Sequence, residues 1–344
     1  MTGRGWALAL ALAVAQAGCG AASPSGESRV WPPGGSLTFS PYVDVTLTAP
    51  FDLAGVANDA GARSLTLAFV DTGPRACEPA WGGTTAIADP AVVNAASRLR
   101  AAGVTLHISF GGARGEELAG RCPDVGSLAA AYSSVLGQYH AVAADFDLEG
   151  ATLADRSAMA RRAQAIARLQ AQSSHRLAVT LTVAASPRGL SGSTLAAVRA
   201  MADAGVRLNA VNLLAMDYGV AQARGRMAAE TVLAIGAAHR QLSALGIGLA
   251  SWRSLGATVM VGANDTAGEV FTLQDARTVA SYAARHGLGL TSIWSLARDQ
   301  PCAGSPSAAQ ATCSGVGEST YAFSRAFGAR SRPGVPPRRA ADSS

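Results

Sequence analysis

Three acidic residues, Asp145, Asp147 and Glu149, alternate with Phe146 and Leu148 along one predicted strand. Successive side chains of a strand point to opposite faces, so the three carboxylates share a face at intervals of about 6.6 Å. The apolar residues between them indicate a buried strand, and oxygens spaced along a strand cannot wrap a calcium ion. Buried like charges raise one another's pKa. The pattern therefore predicts a catalytic row, with Glu149 as acid, Asp147 as its partner and Asp145 as a relay.

The row also restricts the reaction. Two carboxylates on one strand approach a bound sugar from the same side, so they cannot flank a glycosidic bond as nucleophile and acid. A sugar with a 2-acetamido group supplies another nucleophile, because its carbonyl oxygen can attack the anomeric carbon while Glu149 protonates the leaving oxygen. We therefore expect substrate-assisted hydrolysis of an N-acetylated sugar.

Strand-like and helical patterns alternate along the chain and must position this row. The predicted strands are residues 36–45, 64–70, 104–110, 141–149, 176–184, 208–216, 257–262 and 288–294. Eight repeats of strand and helix are typical of an α/β (β/α)8 TIM barrel, whose active site lies at the carboxyl ends of the strands. An open doubly wound sheet would need a glycine-rich phosphate loop after the first strand, and residues 40–44 contain none.

The helical segments carry boundary signals of their own. Asp89 and Pro90 are typical of an N-cap and a first helical position, and Gly103 closes the same helix. About ten residues separate the seventh strand from a helix that starts near Leu273, too few for an extra α+β insertion. We expect a single catalytic domain with a shallow cleft.

The acidic row resembles the D-G-x-D-x-D-x-E motif of glycoside hydrolase family 18 chitinases, in particular their compact bacterial members. Asp145, Asp147 and Glu149 match its last three acidic positions, whereas Val142 and Ala143 replace the first aspartate and the glycine. The resemblance covers residues 36–328. It implies a TIM barrel and retaining, substrate-assisted cleavage of β-1,4 bonds between N-acetylglucosamine units, with Glu149 as the general acid and base.

A second motif lies at the end of the third strand, where Ser109, Gly111 and Gly112 match the family's S-x-G-G. The resemblance implies that the serine hydroxyl bonds the inner aspartates. It also implies that the glycines let the backbone approach the substrate, because glycine has no side chain to block it.

A third motif ends the sixth strand, where Met216, Asp217 and Tyr218 resemble the family's M-x-Y-D region with the tyrosine displaced by one place. The resemblance implies that Asp217 holds the acetamido nitrogen and Tyr218 its carbonyl oxygen. Met216 would line the same substrate site or fill the barrel.

Aromatic residues at strand ends complete the predicted substrate site. Trp294 ends the eighth strand and resembles the tryptophan floor under the reacting sugar, where an aromatic face suits the apolar face of a sugar. Tyr42 after the first strand and Trp81 after the second are further substrate-binding candidates.

The ends of the chain and its cysteines indicate export. Residues 1–18 resemble a signal peptide, 19–35 form a linker and 329–344 a disordered Arg/Pro tail. Cys19 is the odd cysteine and suggests a lipid anchor. The remaining four cysteines allow three pairings. Cys302 paired with Cys313 closes a short loop and leaves Cys77 with Cys122 as a longer disulfide loop.

Composition excludes several other classes of protein. The 28 basic residues are all arginines, so lysine Schiff-base chemistry and a phosphate-loop nucleotidase are excluded. Much of the net charge of +5 falls in the tail, which argues against nucleic-acid binding. His107 faces inward without a second histidine or cysteine at ligand spacing, so we expect a core histidine and no metal or other cofactor.

The sequence thus predicts a secreted or lipid-anchored monomeric chitinase that cuts soluble or short chains internally. An endo-β-N-acetylglucosaminidase acting on N-glycans would use the same catalytic residues. A catalytically silent, lectin-like barrel that binds chitin is the other alternative, and the presence of Glu149 speaks against it.

Overall fold

The computed structural model describes residues 1–2, 37–47, 53–173, 177–219, 223–304 and 308–329. Its strands are β1 (Thr38–Phe39), β2 (Tyr42–Asp44), β3 (Ser64–Thr72), β4 (Pro79–Trp81), β5 (Thr85–Ala86), β6 (Thr105–Gly111), β7 (Ala143–Leu148), β8 (Ala178–Ala184), β9 (Ala210–Leu214), β10 (Leu255–Met260), β11 (Gly262–Ala263), β12 (Val270–Phe271) and β13 (Leu290–Trp294). Its α-helices are α1 (Leu53–Asp59), α2 (Pro90–Ala101), α3 (Leu118–Arg121), α4 (Val125–Tyr139), α5 (Arg156–Gln172), α6 (Gly192–Asp203), α7 (Met227–Ala244), α8 (Leu273–His286) and α9 (Ala322–Gly328).

The main sheet is parallel and follows the order β3, β6, β7, β8, β9, β10 and β13, so strands that are sequential in the barrel are neighbours. Each of the eight predicted strand segments overlaps a strand of this sheet, although the seventh strand, β10, begins two residues before the predicted 257–262. The first segment, 36–45, is split, because β1 pairs with β13 and β2 pairs with β3. The two halves thereby bridge the last strand to the second, which completes a (β/α)8 barrel.

Small and polar side chains fill the amino-terminal part of the barrel interior. Ser40 contacts the hydroxyl of Thr66 at 2.9 Å and Nδ1 of His107 at 3.2 Å. Burial lowers the pKa of His107 to about 4, which keeps the ring neutral. The prediction of a hydrogen-bonded core histidine is confirmed.

Local signals for α2 also act as predicted. The Asp89 carboxylate accepts the amides of Ala91 and Val92, Pro90 opens the helix, and Gly103 follows it with φ +79°. Satisfying the free amides of the first turn fixes where the helix begins.

The segment between β10 and α8 holds a two-stranded hairpin, β11 and β12, rather than an α+β domain. Residues 262–271 are called the seventh-strand hairpin below. The predicted leader after residue 2, the linker with Cys19 and the tail after residue 329 lie outside the described residues. Within the described ranges, no helix is both long enough and apolar enough to cross a membrane.

Candidate active site

The fourth barrel strand, β7, carries the predicted acidic row. Asp145 and Asp147 are 4% and 2% exposed, while Glu149 follows the strand at its carboxyl end and is partly exposed. Phe146 stacks on Phe110 on the other face of the strand, toward the helices. The row therefore runs from the barrel interior to the rim, in the predicted order.

Asp145 is held by hydroxyl groups from three other strands. Its Oδ2 accepts from Ser109 at 2.6 Å and from Tyr42 at 2.9 Å, and its Oδ1 accepts from Thr182 at 2.6 Å. Asn212 in turn donates to the Thr182 hydroxyl at 3.0 Å. Burial raises the pKa of Asp145, and the three donated hydrogen bonds oppose this rise.

Asp147 lies between two other carboxyl groups and lacks such donors. Burial raises its pKa well above the ordinary value, and the charges of Glu149 and Asp145 raise it further. Among the described residues, its buried Oδ1 has no hydrogen-bond partner. Asp147 is therefore suited to hold a proton between its two neighbours.

Glu149 has the environment of a proton donor. Partial burial raises the pKa of its carboxyl group, and the charge of Asp217 raises it further. A carboxyl group with a raised pKa stays protonated closer to neutral pH, which is what a general acid requires.

Asp217 follows the sixth barrel strand and is positioned from outside the barrel. Its backbone has φ +47°, and its Oδ1 accepts the amide of Thr266 at 2.6 Å. Its own amide donates to the side chain of Asn264. Both partners belong to the seventh-strand hairpin. Burial raises the pKa of Asp217, and the nearby charge of Asp265 adds to this.

An aromatic group lies at the carboxyl end of the barrel. Trp294 is partly exposed, stacks on Phe69 with ring centroids 5.3 Å apart, and meets Tyr42 edge-on at 6.0 Å. Its place at the end of β13 agrees with the predicted sugar platform.

The structure corrects the roles predicted for Tyr42 and Trp81. Tyr42 is 3% exposed and its hydroxyl donates a hydrogen bond to Asp145, so it supports the acidic row instead of contacting substrate. Trp81 is completely buried, and its indole nitrogen donates to Tyr139 of α4 at 2.9 Å. Pairing of Trp81 with Val70 in the antiparallel β4 turns the ring toward the helices, away from the cleft.

The role predicted for Tyr218 is also wrong. Its hydroxyl lies 3.1 Å from that of Thr231 on α7, so it points into the helical layer. Because β9 ends at Leu214, Tyr218 lies on the turn after the strand, where the one-place displacement in the motif leaves its side chain directed toward α7. Met216 is partly exposed beside Asp217, where the motif predicts it.

Ser109 bonds the inner aspartate as predicted, but the two glycines serve protein contacts. A Cβ on Gly111 would lie 2.3 Å from the carbonyl oxygen of Asp147, and one on Gly112 would lie 2.9 Å from the Phe69 ring. The amide of Gly112 donates to that same Asp147 carbonyl at 3.0 Å. Gly111 thus lets the third strand approach the fourth, and Gly112 leaves room for the Phe69 ring of the second.

Both predicted disulfides are present. Cys77–Cys122 joins the segments after the second and third barrel strands, and Cys302–Cys313 closes a loop after the eighth. In the described ranges, no cluster of three or more His, Cys, Asp or Glu side chains is arranged to hold a metal ion.

Several residues of the site were not predicted. Thr182 and Asn212 could have been found, because both lie in phase on inward faces of their strands. Phe69 could not, because a register shift between Leu67 and Val70 alters the alternation on which the prediction depends. Glu269 and other hairpin residues carry no motif.

A parallel barrel with carboxyl groups and an aromatic ring at the carboxyl ends of its strands resembles the arrangement of barrel glycosidases. No family model matches the chain. It is 32% identical over 290 residues to a probable bifunctional chitinase/lysozyme of Escherichia coli (strain K12), with 79% of this chain and 32% of that protein covered. It is 32% identical over 293 residues to endochitinase 11 of Metarhizium anisopliae, with 80% and 54% covered. The chain thus spans about a third to a half of the length of these relatives.

The solved catalytic domain of a hyperthermophilic chitinase from Pyrococcus furiosus is similar across nearly its whole length. The TM-score is 0.77 at 28% identity, covering 88% of this chain and 96% of that one. The chain is thus similar to chitinases over most of its own length, which supports the resemblance to glycoside hydrolase family 18 inferred from its acidic row.

Proposed function

We propose that the protein hydrolyses β-1,4 bonds between N-acetylglucosamine units with retention of configuration, using the substrate's acetamido group as nucleophile. The acidic row carries the proposal. It places two buried carboxyl groups behind Glu149 on a single strand. That strand therefore offers an acid and a proton store on one side of a bound sugar, and it cannot also supply a nucleophile on the other side.

In the first half of the reaction, Glu149 donates its proton to the leaving glycosidic oxygen. The acetamido carbonyl oxygen forms a bond to the anomeric carbon as the glycosidic bond breaks, giving an oxazolinium ion. Asp217 accepts a hydrogen bond from the acetamido nitrogen, which stabilises the positive charge that develops there. In the second half, Glu149 takes a proton from water, and water opens the ring from the face that the leaving group vacated.

The inner carboxyl groups stabilise the ionised form of Glu149 between the two halves of the reaction. After Glu149 loses its proton, Asp147 can share its carboxyl proton with the Glu149 carboxylate through a hydrogen bond, and this proton stays with Asp147 when Glu149 takes a proton from water. Asp145 is kept in place by Ser109, Tyr42 and Thr182. Trp294 forms the apolar platform for the reacting sugar.

We further propose that the enzyme acts outside the cytoplasm as a monomer on soluble or short chains, cutting internally. The two disulfides support an oxidising compartment. The short seventh-strand hairpin supports an open, shallow cleft. Export through residues 1–18 and lipidation of Cys19 belong to the same proposal.

A substrate panel tests the reaction class. Chitin oligosaccharides, cello-oligosaccharides without the acetamido group, and an N-glycan are offered to the wild type, Glu149→Gln and Glu116→Gln. Glu116 is an exposed carboxylate on the rim loop and serves as the matched control. We expect cleavage of chitin oligosaccharides by the wild type and the control only.

Other outcomes are equally informative. Cleavage of the N-glycan alone would replace chitin by the endo-β-N-acetylglucosaminidase alternative. Binding of chitin oligosaccharides without cleavage would favour the lectin-like barrel. Cleavage of cello-oligosaccharides would contradict substrate assistance.

A further inference from the structure

The turn that carries Asp217 is docked on the seventh-strand hairpin through three consecutive backbone amides. The amide of Asp217 donates to Oδ1 of Asn264 at 3.3 Å. The next two amides, of Tyr218 and Gly219, donate to Oε2 and Oε1 of Glu269, each at 2.9 Å. One carboxylate thus binds both amides that follow the proposed catalytic aspartate.

Glu269 is buried and held in place by the hairpin. It is 1% exposed, and it lies on the hairpin where its own carbonyl accepts the amide of Asn264 and its amide donates to Thr266. Within the described ranges, the ion pairs do not include Glu269. A buried carboxylate without an ion pair needs strong hydrogen bonds, and the two amides of the turn provide them.

The backbone of the turn requires outside support. Asp217 has φ +47° and Gly219 φ +68°. A non-glycine residue in the left-handed region costs about 1 kcal/mol or more, so it persists only where its surroundings impose it. The Glu269 contacts hold the two residues after Asp217, while Thr266 holds its carboxylate.

We infer that Glu269 is a positioning residue for the reaction, which fixes the Asp217 carboxylate beside Glu149 and at the acetamido group of the substrate. The inference rests on the role of Asp217 in the proposed function. Glu269 itself touches neither the reacting atoms nor Glu149.

The test compares Glu269→Gln, Asp217→Asn, the double variant and Glu230→Gln. Gln has one oxygen acceptor and one NH₂ donor. It can therefore accept a hydrogen bond from only one of the two backbone amides, and its NH₂ group would face the other donor. Glu230 is the matched control, a buried carboxylate on α7 near the same turn that bonds none of its amides. kcat, KM and the pH profile of kcat/KM are measured on chitin oligosaccharides, below the thermal midpoint of each variant.

We expect Glu269→Gln to lower kcat about tenfold or more, because small displacements of a positioning group are costly. The alkaline limb of its profile should shift to lower pH in the same direction as in Asp217→Asn, since the Asp217 charge raises the pKa of Glu149. The double variant should lose no more than about threefold beyond Asp217→Asn. Glu230→Gln should stay within about twofold of the wild type.

Three results would overturn one of two claims, the positioning role of Glu269 or the proposed role of Asp217. If Asp217→Asn changes activity and pH profile but Glu269→Gln changes neither, Glu269 does not position Asp217. The same conclusion follows if Glu269→Gln lowers kcat without moving the alkaline limb and its effect adds fully to that of Asp217→Asn. If Asp217→Asn itself leaves activity unchanged, the proposed function of the turn is wrong. Glu269→Asp, which keeps the charge but is one methylene shorter, is expected to give the same result as Glu269→Gln.

Discussion

The two walls of the cleft hold their carboxylates in different ways. Asp145 receives three side-chain hydroxyls from three strands of the barrel. Asp217 receives a backbone amide from the hairpin after the seventh strand and lies on a turn that the same hairpin binds. The comparison shows one wall fixed by strand register inside a closed barrel. The other wall is fixed by the docking of two loops, whose bonds open more easily.

The largest expected effect comes from the substitution of Asp147 on the barrel wall of the cleft. Asp147→Asn keeps the shape of the neutral carboxyl group but cannot share a carboxyl proton with Glu149, so kcat should fall about 10²- to 10³-fold with little change in KM. Steady-state kinetics on chitin oligosaccharides measures this. Asp203→Asn, at the exposed end of α6, is the control. A kcat within threefold of the wild type would remove Asp147 from the proposed relay.

The second prediction compares the disulfides. Loss of either one should lower the free energy of unfolding by about 3 kcal/mol or more, through the entropy of the unfolded chain. Only Cys302→Ser with Cys313→Ser should also shift the alkaline limb of activity, because the neighbouring Ser314 accepts the hairpin amide of Ala263. The pair Cys77→Ser and Cys122→Ser is the control. Equal pH profiles for both pairs would show that the loop does not support the hairpin.

A smaller effect is expected from Tyr42→Phe, which removes one of three hydroxyl donors to Asp145. Ser109 and Thr182 remain, so kcat should fall about tenfold and stability by about 1 kcal/mol. Tyr139→Phe is a matched tyrosine on the far side of the barrel wall, where its hydroxyl bonds Trp81 and Ile87. That variant should lose stability alone. Equal losses of kcat in the two variants would contradict a specific role of Tyr42.

The smallest effect concerns Asp71, a buried carboxyl group near the rim without the donors that Asp145 has. Burial raises its pKa to about 7, and the charge of Glu117 adds to the rise. The folded protein therefore holds a proton that the unfolded chain releases above its ordinary pKa. The stability from this proton is complete below about pH 4 and is lost as the pH rises to about 7.

Asp71→Asn should remove this dependence. Thermal midpoints of the wild type and Asp71→Asn at pH 5 and pH 8 measure it, and the variant should gain relative to the wild type at pH 8. The difference between the two proteins would be the same at both pH values if Asp71 were already ionised at pH 5.

How far the sequence predicts the site follows the same division. Strand alternation located Asp145, Asp147 and Glu149, because a closed barrel preserves the period of two residues. It gave no indication of Phe69, where a register shift alters the period, and it does not extend to Tyr218, which lies beyond the end of its strand. Alternation stops at strand ends.

The hairpin could not be predicted at all. Glu269 is separated from Tyr218 by 51 residues, and nothing in the local sequence indicates which loop amides a buried carboxylate will bind. Trp81 failed for a related reason, since its packing on Tyr139 depends on a short antiparallel strand without a distinctive pattern. Long-range docking is decided by tertiary packing, which local patterns do not contain.

The most direct test of the reaction is the configuration of the first product, read by NMR before mutarotation, when the wild type cleaves a chitin oligosaccharide. Attack by the acetamido oxygen followed by attack of water gives two inversions and thus the β-anomer, which is the predicted result. The α-anomer as the initial product would show a single displacement by water, and would contradict substrate assistance by the acetamido group.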